Sequence, residues 1–384
     1  MLTGTASSYA EMAEALKGAN TDGASVRVRG GGTKMAWGRP GDAAAAPLST
    51  LGLNEVLEHN AGDLTAVVQA GVNLADAQKV FAGARQMLAL DPPLGGQQAA
   101  TIGGVVATGD GGPFRHHYGA VRDQVIGIRV ALADGTVAQS GGRVIKNVAG
   151  YDLAKLFSGS FGTLGIILEV SFRLHPMPEG TVTLVGTGEE AEALAAASVA
   201  LSNSPLRAAC LDFNWDATHG SVLARFGGRA ARDVAQQARQ FMENAGLETR
   251  LEEDDHGLWE TQRARQRSDG GVIAKVSALP AEVSRVIAAA RQVGATAVGR
   301  AGLGVAWLDL GERRGMSEYT ACLETLRASL APRPVVLQDA PEEVRQALDV
   351  WGPQPGSLVT LMRRVKQRFD PSGVCNRGIF VAGI

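Results

Sequence analysis

The stretch that decides the fold is Val26-Arg27-Val28-Arg29-Gly30-Gly31-Gly32-Thr33-Lys34. Val26–Arg29 reads as a short strand, and three glycines follow it at once. Consecutive backbone amides can form a concave nest for an anion, and glycine allows the positive φ that a nest needs. A pyrophosphate suits such a nest; a flexible turn is the plainer alternative.

Two further glycine-bearing segments follow. One begins at Asp91-Pro92-Pro93 and passes through Ala100-Thr101-Ile102-Gly103-Gly104 to Gly109-Asp110-Gly111-Gly112. It continues through Tyr118-Gly119-Ala120-Val121-Arg122-Asp123. A long, strand-poor stretch inside a compact domain is usually functional. The other is Lys146-Asn147-Val148-Ala149-Gly150-Tyr151-Asp152-Leu153, then Gly159-Ser160-Phe161-Gly162-Thr163-Leu164-Gly165-Ile166-Ile167. Its glycines at 159, 162 and 165 precede an apolar strand, so this backbone has to lie flat against something. Ser160 and Thr163 can add hydroxyl hydrogen bonds. The chain has no GxGxxG opening a helix, no GxxxxGK[ST], no GxSxG and no HExxH, which speaks against Rossmann, P-loop, hydrolase and zincin readings.

Around these segments the chain divides into three parts. Residues 1–178 alternate glycine-rich turns with strands at Val26–Arg29, Ala66–Ala70, Ile126–Leu132 and Ile166–Leu174. Helical patterns lie at Ser8–Lys17 and Leu74–Arg85, the second with Asn73 as N-cap. The part ends at Leu174-His175-Pro176-Met177-Pro178. Residues 179–340 carry alanine-rich helices (Glu189–Leu201, Ala230–Ala245, Pro280–Val293). Between them lie strands at Thr181–Gly186, Ala208–Phe213, Ser221–Phe226, Val272–Val276 and Gly304–Leu308. Two similar waves of this kind predict an α+β cap on an antiparallel sheet. Residues 341–384 hold a helix, Ser357–Phe369, then the turn Asp370-Pro371-Ser372-Gly373 and a short apolar tail.

Composition agrees with a ligand-hugging globular chain. Of 384 residues 49 are glycine, about 13% against a usual 7%. The formal charge of −2 argues against a non-specific nucleic-acid binder. No apolar run is long enough for a transmembrane helix, and the first twenty residues read as an amphipathic helix, not a signal peptide. Cys210, Cys322 and Cys375 are far apart, with no iron–sulfur or disulfide spacing, which fits a reducing cytosol.

Taken together, the three segments, in this order, resemble the FAD-binding domain of the vanillyl-alcohol oxidase/PCMH-type flavoprotein superfamily over nearly all of residues 1–178. Phe369-Asp370-Pro371-Ser372-Gly373-Val374-Cys375-Asn376 is similar to that family's closing motif. The length and the reduced cap resemble the FAD-binding subunit of bacterial glycolate oxidase. The resemblance implies an α+β, PCMH-type two-subdomain FAD-binding fold. It also implies partners, namely a homologous catalytic flavin subunit and an iron–sulfur subunit. The substrate would be a small 2-hydroxy acid, and the place of work the cytoplasm, with the inner membrane reached only peripherally. Carried over by motif, Arg29, Gly30, Gly31, Gly32, Thr33 and Lys34 would cradle the pyrophosphate. Pro93, Thr101, Ile102, Gly103, Gly104 and Thr108 would border the phosphates and ribityl chain. Gly112, Tyr118, Gly119, Arg122 and Asp123 would run on past the flavin. Gly162, Thr163, Gly165 and Ile166 would lie near its rings, and Asn376 would return to it from the tail. Covalent members carry a histidine in the first loop; Thr33 stands here, so the resemblance implies dissociable FAD.

Oxidising a 2-hydroxy acid needs a base for the hydroxyl proton, a hydride acceptor and a cation for the carboxylate. The metal-binding cap signature of larger relatives is missing, and no metal site is expected. His116 and His117 read first as loop histidines and second as groups approaching the flavin. His219 and His256 read as exposed and His175 as structural. Arg225, Arg263, Lys275 and Arg300 are cation candidates, with Lys146 and Arg122 better placed by motif. Trp215, Trp259 and Trp307 read as core anchors. Two functions remain open: an enzyme subunit that oxidises glycolate or a related acid, and a non-catalytic flavin scaffold or electron conduit beside a catalytic partner.

Overall fold

The computed structural model describes residues 4–142, 152–268, 270–313 and 315–384. It contains two units. One comprises Met1–Gly111, Gly119–Met177 and Pro353–Ile384; the other comprises Gly112–Tyr118 and Pro178–Gly352.

In the first unit the Val-Arg-Val-Arg run is a strand, as its alternation predicts. It is the edge of a parallel sheet ordered β1-β3-β2, formed by β1 (Gly4–Thr5), β2 (Val26–Arg29) and β3 (Ala46–Ser49). Parallel pairing requires a crossover, and the helix Tyr9–Thr21 lies in the β1–β2 connection. Ser8 caps it by accepting the Glu11 amide, and Met12, Leu16 and Ala19 pack with Val26, Leu48 and Leu53. The second sheet is antiparallel, ordered β4-β5-β9-β7-β8. Its strands are β4 (Val56–Asn60), β5 (Thr65–Gln69), β7 (Val125–Ala131), β8 (Val137–Gly141) and β9 (Ile166–Arg173). β6 (Gln86–Met87) and β10 (His175–Pro176) pair as a separate ribbon. Val68, Val170 and Phe172 form a core with Phe81 of the helix Leu74–Ala82 and Val105 and Val106 of the helix Ile102–Thr108. Asn73 occupies the N-cap of Leu74–Ala82 but makes no side-chain cap bond.

The second unit is an eight-stranded antiparallel sheet ordered β14-β11-β13-β12-β16-β17-β15-β18. The strands are β11 (Thr181–Gly188), β12 (Cys210–Asp216), β13 (His219–Gly227), β14 (Glu248–Glu252), β15 (Ile273–Ser277), β16 (Thr296–Arg300), β17 (Val305–Asp309) and β18 (Val335–Asp339). The two waves read from the sequence are two copies of one β-α-β-β-α-β pattern. The first copy uses the helices Ala191–Ser202 and Ala231–Glu243, the second Val283–Gln292 and Met316–Leu330. Each copy has its fourth strand outermost and its second strand at the seam, where β12 and β16 pair with Asp212 opposite Arg300. Alternate residues face opposite sides of a strand. Leu184, Leu211, Phe213 and Ala224 therefore meet the helices, while Thr183, Asp212, Arg225 and Arg300 face the other way.

The second unit runs on to Gly352, past the boundary at 340 expected from the sequence. Its core includes Val344 and Val350, and the Leu337 amide donates to the Val350 carbonyl at 2.8 Å. The unit also takes in Gly112–Tyr118, whose Phe114 packs against Cys210, Leu223 and Trp259.

Candidate functional site

The first unit contains a cleft, open to solvent on one side, whose empty space is about 790 Å³ including the solvent-open part. β2 and the loop after it form one wall, through Arg27, Val28, Arg29, Gly30, Gly31, Gly32, Thr33 and Lys34. The helix Ile102–Thr108 with its cap Thr101 forms another, through Gly103, Gly104, Ala107 and Thr108. Phe161, Gly162, Gly165, Ile166 and Ile167 close a third side, and Asn376 and Ile379 come from the tail.

The glycines have separate reasons. A Cβ on Gly31 would lie 1.6 Å from the Ala99 carbonyl oxygen, so no other residue fits between the two loops. Gly162 has φ +68°, and a Cβ there would meet the Asn376 amide nitrogen at 2.8 Å. The amides of the helix Ile102–Thr108 are engaged within the protein. Ile102 donates to Val72, Gly103 to Ala70 and Gly104 to the Thr101 hydroxyl. That wall therefore offers a smooth, side-chain-free surface more than a set of amide donors.

Charge is concentrated at the β2 wall. Arg27, Arg29 and Lys34 line it together. The Lys34 side chain is buried, 3.4 Å from the buried Asp110 carboxylate, with its ammonium 5.9 Å from the Trp37 ring centre. Guanidinium groups and glycine amides suit phosphate oxygens, and Ala70, Ala107, Ile166 and Ile167 offer an apolar floor to a ring system. The donor set fits a pyrophosphate joined to aromatic rings.

The structure brings together, around this cleft, Arg29, Gly30, Gly31, Gly32, Thr33, Lys34, Thr101, Gly103, Gly104, Thr108, Gly162, Gly165, Ile166 and Asn376. The other expected residues of the first unit do not line it. Ile102 is in the core, Pro93 is buried, and Thr163 turns its hydroxyl to the Ser160 carbonyl at 2.7 Å. Arg122 and Asp123 are exposed on the short helix Val121–Gln124, where Asp123 accepts the Ala120 amide at 2.8 Å. Gly119 stands just before that helix, at φ +84°, and Gly112 and Tyr118 belong to the second unit. Lys146 lies outside the described residues. Arg27, Trp37, Thr50 and Phe161 line the cleft and were not singled out from sequence. The alternation Val-Arg-Val-Arg into a triple glycine was the available signal for Arg27.

His116 and His117 lie on the helix Arg115–Tyr118 in the second unit. The His116 ring abuts Gly302, and its Nδ1 is buried without a hydrogen-bond partner among the described residues. Burial holds its pKa below the ordinary value, with His117 adding to the effect. His117 is exposed and packs edge-on to Tyr118. His256 pairs with Glu260, His219 is exposed, and His175 bonds Gln124 at 3.0 Å.

The cation candidates of the cap are engaged. Arg225 grips Asp255 with two bonds of 2.8 and 2.9 Å, and Thr183 links Asp255 to the Trp259 indole. Arg300, fully buried, donates to Asp212 at 2.5 Å and lies 4.9 Å from the Trp307 ring centre. Gln262 donates to the same Asp212 oxygen, while the other oxygen has no partner among the described residues. Burial pushes the Asp212 carboxyl up to about 6, against the pull of Arg300. Lys275 lies near the Trp307 ring, and Arg263 ends the helix His256–Ala264 close enough to act on Asp212. Trp215, Trp259 and Trp307 are all buried.

Residues 3–141 match the FAD binding domain family. The chain is similar to glycolate oxidase subunit GlcD of Bacillus subtilis, at 38% identity over 44% of this chain and 35% of that protein. It is also similar to glycolate oxidase subunit GlcE of Escherichia coli, at 34% identity over 44% of this chain and 48% of that protein. The matched region thus spans between a third and a half of these relatives. Among solved structures, an alkyldihydroxyacetonephosphate synthase shares the fold, with a TM-score of 0.70 at 15% identity, covering 97% of this chain and 76% of that one. No helix among the described residues is long and apolar enough to cross a membrane. Residues 3–141 are thus an FAD binding domain, the chain has the PCMH-type fold, and FAD is the cofactor that its cleft fits.

Proposed function

We propose that this chain is the FAD-binding subunit of a 2-hydroxy-acid oxidoreductase complex of the glycolate kind. In this reading it works in the cytoplasm beside a homologous catalytic flavin subunit and an iron–sulfur subunit, which take it to the membrane peripherally. The observation that carries the reading is the likeness to two different glycolate oxidase subunits, at 38% and 34% identity, each over 44% of this chain. FAD, when bound, supplies a hydride acceptor and a store of two electrons. The chain's own part is to hold it: glycine amides and Arg27, Arg29 and Lys34 face the phosphates, and the small-residue helix wall and Ile166–Ile167 accommodate the rings.

A second reading, a flavin-binding scaffold or electron-transfer subunit without its own chemical step, draws on the cap. A substrate carboxylate needs a cation, yet Arg225 and Arg300 are held by Asp255 and Asp212. Displacing either guanidinium would leave a buried carboxylate uncompensated.

One experiment separates the two. The purified chain is loaded with FAD, and glycolate or D-lactate is added without oxygen while the visible spectrum is followed. Bleaching within seconds supports the enzyme reading. Flavin that stays oxidised alone but bleaches when the partner subunits are added supports the scaffold. Flavin that stays oxidised in both settings, for every 2-hydroxy acid tried, rejects the substrate class.

A further inference from the structure

The tail returns to the first unit after the whole cap has intervened, and the way it is fastened bears on the cofactor. Val374–Asn376 runs beside β2. The Val26 amide donates to the Val374 carbonyl at 2.8 Å, and the Asn376 amide donates to the Val26 carbonyl at 3.0 Å. Asn376 is 7% exposed and holds a left-handed backbone, φ +42°. Its side-chain Oδ1 accepts the Val28 amide at 2.8 Å, and its Nδ2 donates to the Phe161 carbonyl at 2.7 Å. One carboxamide therefore ties together β2, the Phe161–Gly165 loop and the tail, three of the segments that meet around the cleft.

A second tie reinforces the first. The Lys366 ammonium donates to the Thr163 carbonyl at 2.6 Å, to the Asp370 carboxylate at 2.6 Å and to the Cys375 carbonyl at 3.2 Å. Asp370, 1% exposed, also accepts the amides of Val374 and Cys375 at 2.9 and 2.8 Å. Charge-assisted bonds of this kind are the strong ones. They fix the same loop at a second point, the Thr163 carbonyl.

We infer that Asn376 and Lys366 are positioning residues for FAD: they set the width of the cleft by pinning the Phe161–Gly165 loop to β2 through the tail. Both ends of the Asn376 carboxamide are engaged by protein, so its effect on the cofactor runs through Val28 and Phe161. A loop free to drift would hold the cofactor poorly even with all the glycines present. Because linkage is reciprocal, FAD must in turn hold the tail closed.

The test uses the full-length apoprotein titrated with FAD, following quenching of flavin fluorescence. N376G removes the carboxamide while keeping the left-handed backbone easy, and K366M removes the ammonium while keeping the stem. Each is expected to weaken FAD binding at least tenfold and to change the visible circular dichroism of the bound flavin, with the far-ultraviolet spectrum of the apoprotein unchanged. FAD is expected to slow tryptic cleavage at the exposed Arg363, Arg364 and Arg368 in the wild type, and to slow it much less in both variants. Binding within twofold of the wild type in a folded N376G and in K366M would overturn the inference. If N376G does not fold, K366M alone decides. A lower apoprotein melting temperature with unchanged FAD affinity would also overturn it.

Discussion

Gly104 and Gly162 both line the cleft, but for different reasons, and substitution should separate them. A Cβ on Gly104 meets the Thr101 hydroxyl at 3.3 Å, a tight contact that a small shift of that side chain relieves. G104V should fold, with a melting temperature closer to the wild-type apoprotein than that of G162V, and lose FAD affinity by more than a hundredfold, read by flavin fluorescence. In G162V the positive φ adds about 1–2 kcal/mol of backbone cost, besides the clash with Asn376. His116 gives a pH prediction. Its imidazole is harder to protonate folded than unfolded, because burial disfavours the charged ring. The stability it permits is present above the unfolded value of 6.5 and is lost as pH falls below it. Between pH 7.5 and 5.5 the urea midpoint should fall more in the wild type than in H116Q; parallel slopes would contradict this. At this scale the sequence was informative where the physics is local. Gly30–Thr33 could be singled out because three consecutive glycines after a strand are a local signal, and they line the cleft. Asn376 was visible as a motif, but its bonds to Val28 and Phe161 cross 348 and 215 positions, and no local pattern encodes them.

Among the elements, the seam between β12 and β16 is the most exacting. Asp212 and Arg300 face each other there with no exposed surface. R300M should destabilise the cap by about 3–5 kcal/mol, because it strands a buried carboxylate. D212N in the same chain should recover part of the loss, which a double-mutant cycle in denaturant would measure. The strands β2, β5, β7 and β9 were legible from apolar runs between glycines. The helix Ile102–Thr108 was not, because Gly103 and Gly104 lower helix propensity. The capping hydroxyl of Thr101 and the left-handed Gly109 just after the helix fix its ends. β14, β16 and β18 escaped for another reason. Glu248–Glu252 is mostly polar, and all three take their place by pairing, with β11, β12 and β15. Arg225 and Arg300 looked available to a ligand because their carboxylates, Asp255 and Asp212, come from 30 and 88 positions away.

At the scale of the whole chain, two units with separate cores imply two unfolding transitions. FAD at a hundred times its Kd should stabilise the unit that binds it by about 2.7 kcal/mol, moving one transition and leaving the other in place. A calorimetric scan with and without FAD checks this; equal shifts in both would mean a single cooperative body. The repeated pattern of the cap carries a consequence of its own. Its halves meet through equivalent strands running antiparallel, the arrangement by which two identical subunits join across a twofold axis. One half standing alone would expose that strand edge and would be sticky toward its own twin. The cap thus has the architecture of a homodimer whose partners share one polypeptide. Asp212 from one partner and Arg300 from the other give its interface the asymmetry that true identity forbids.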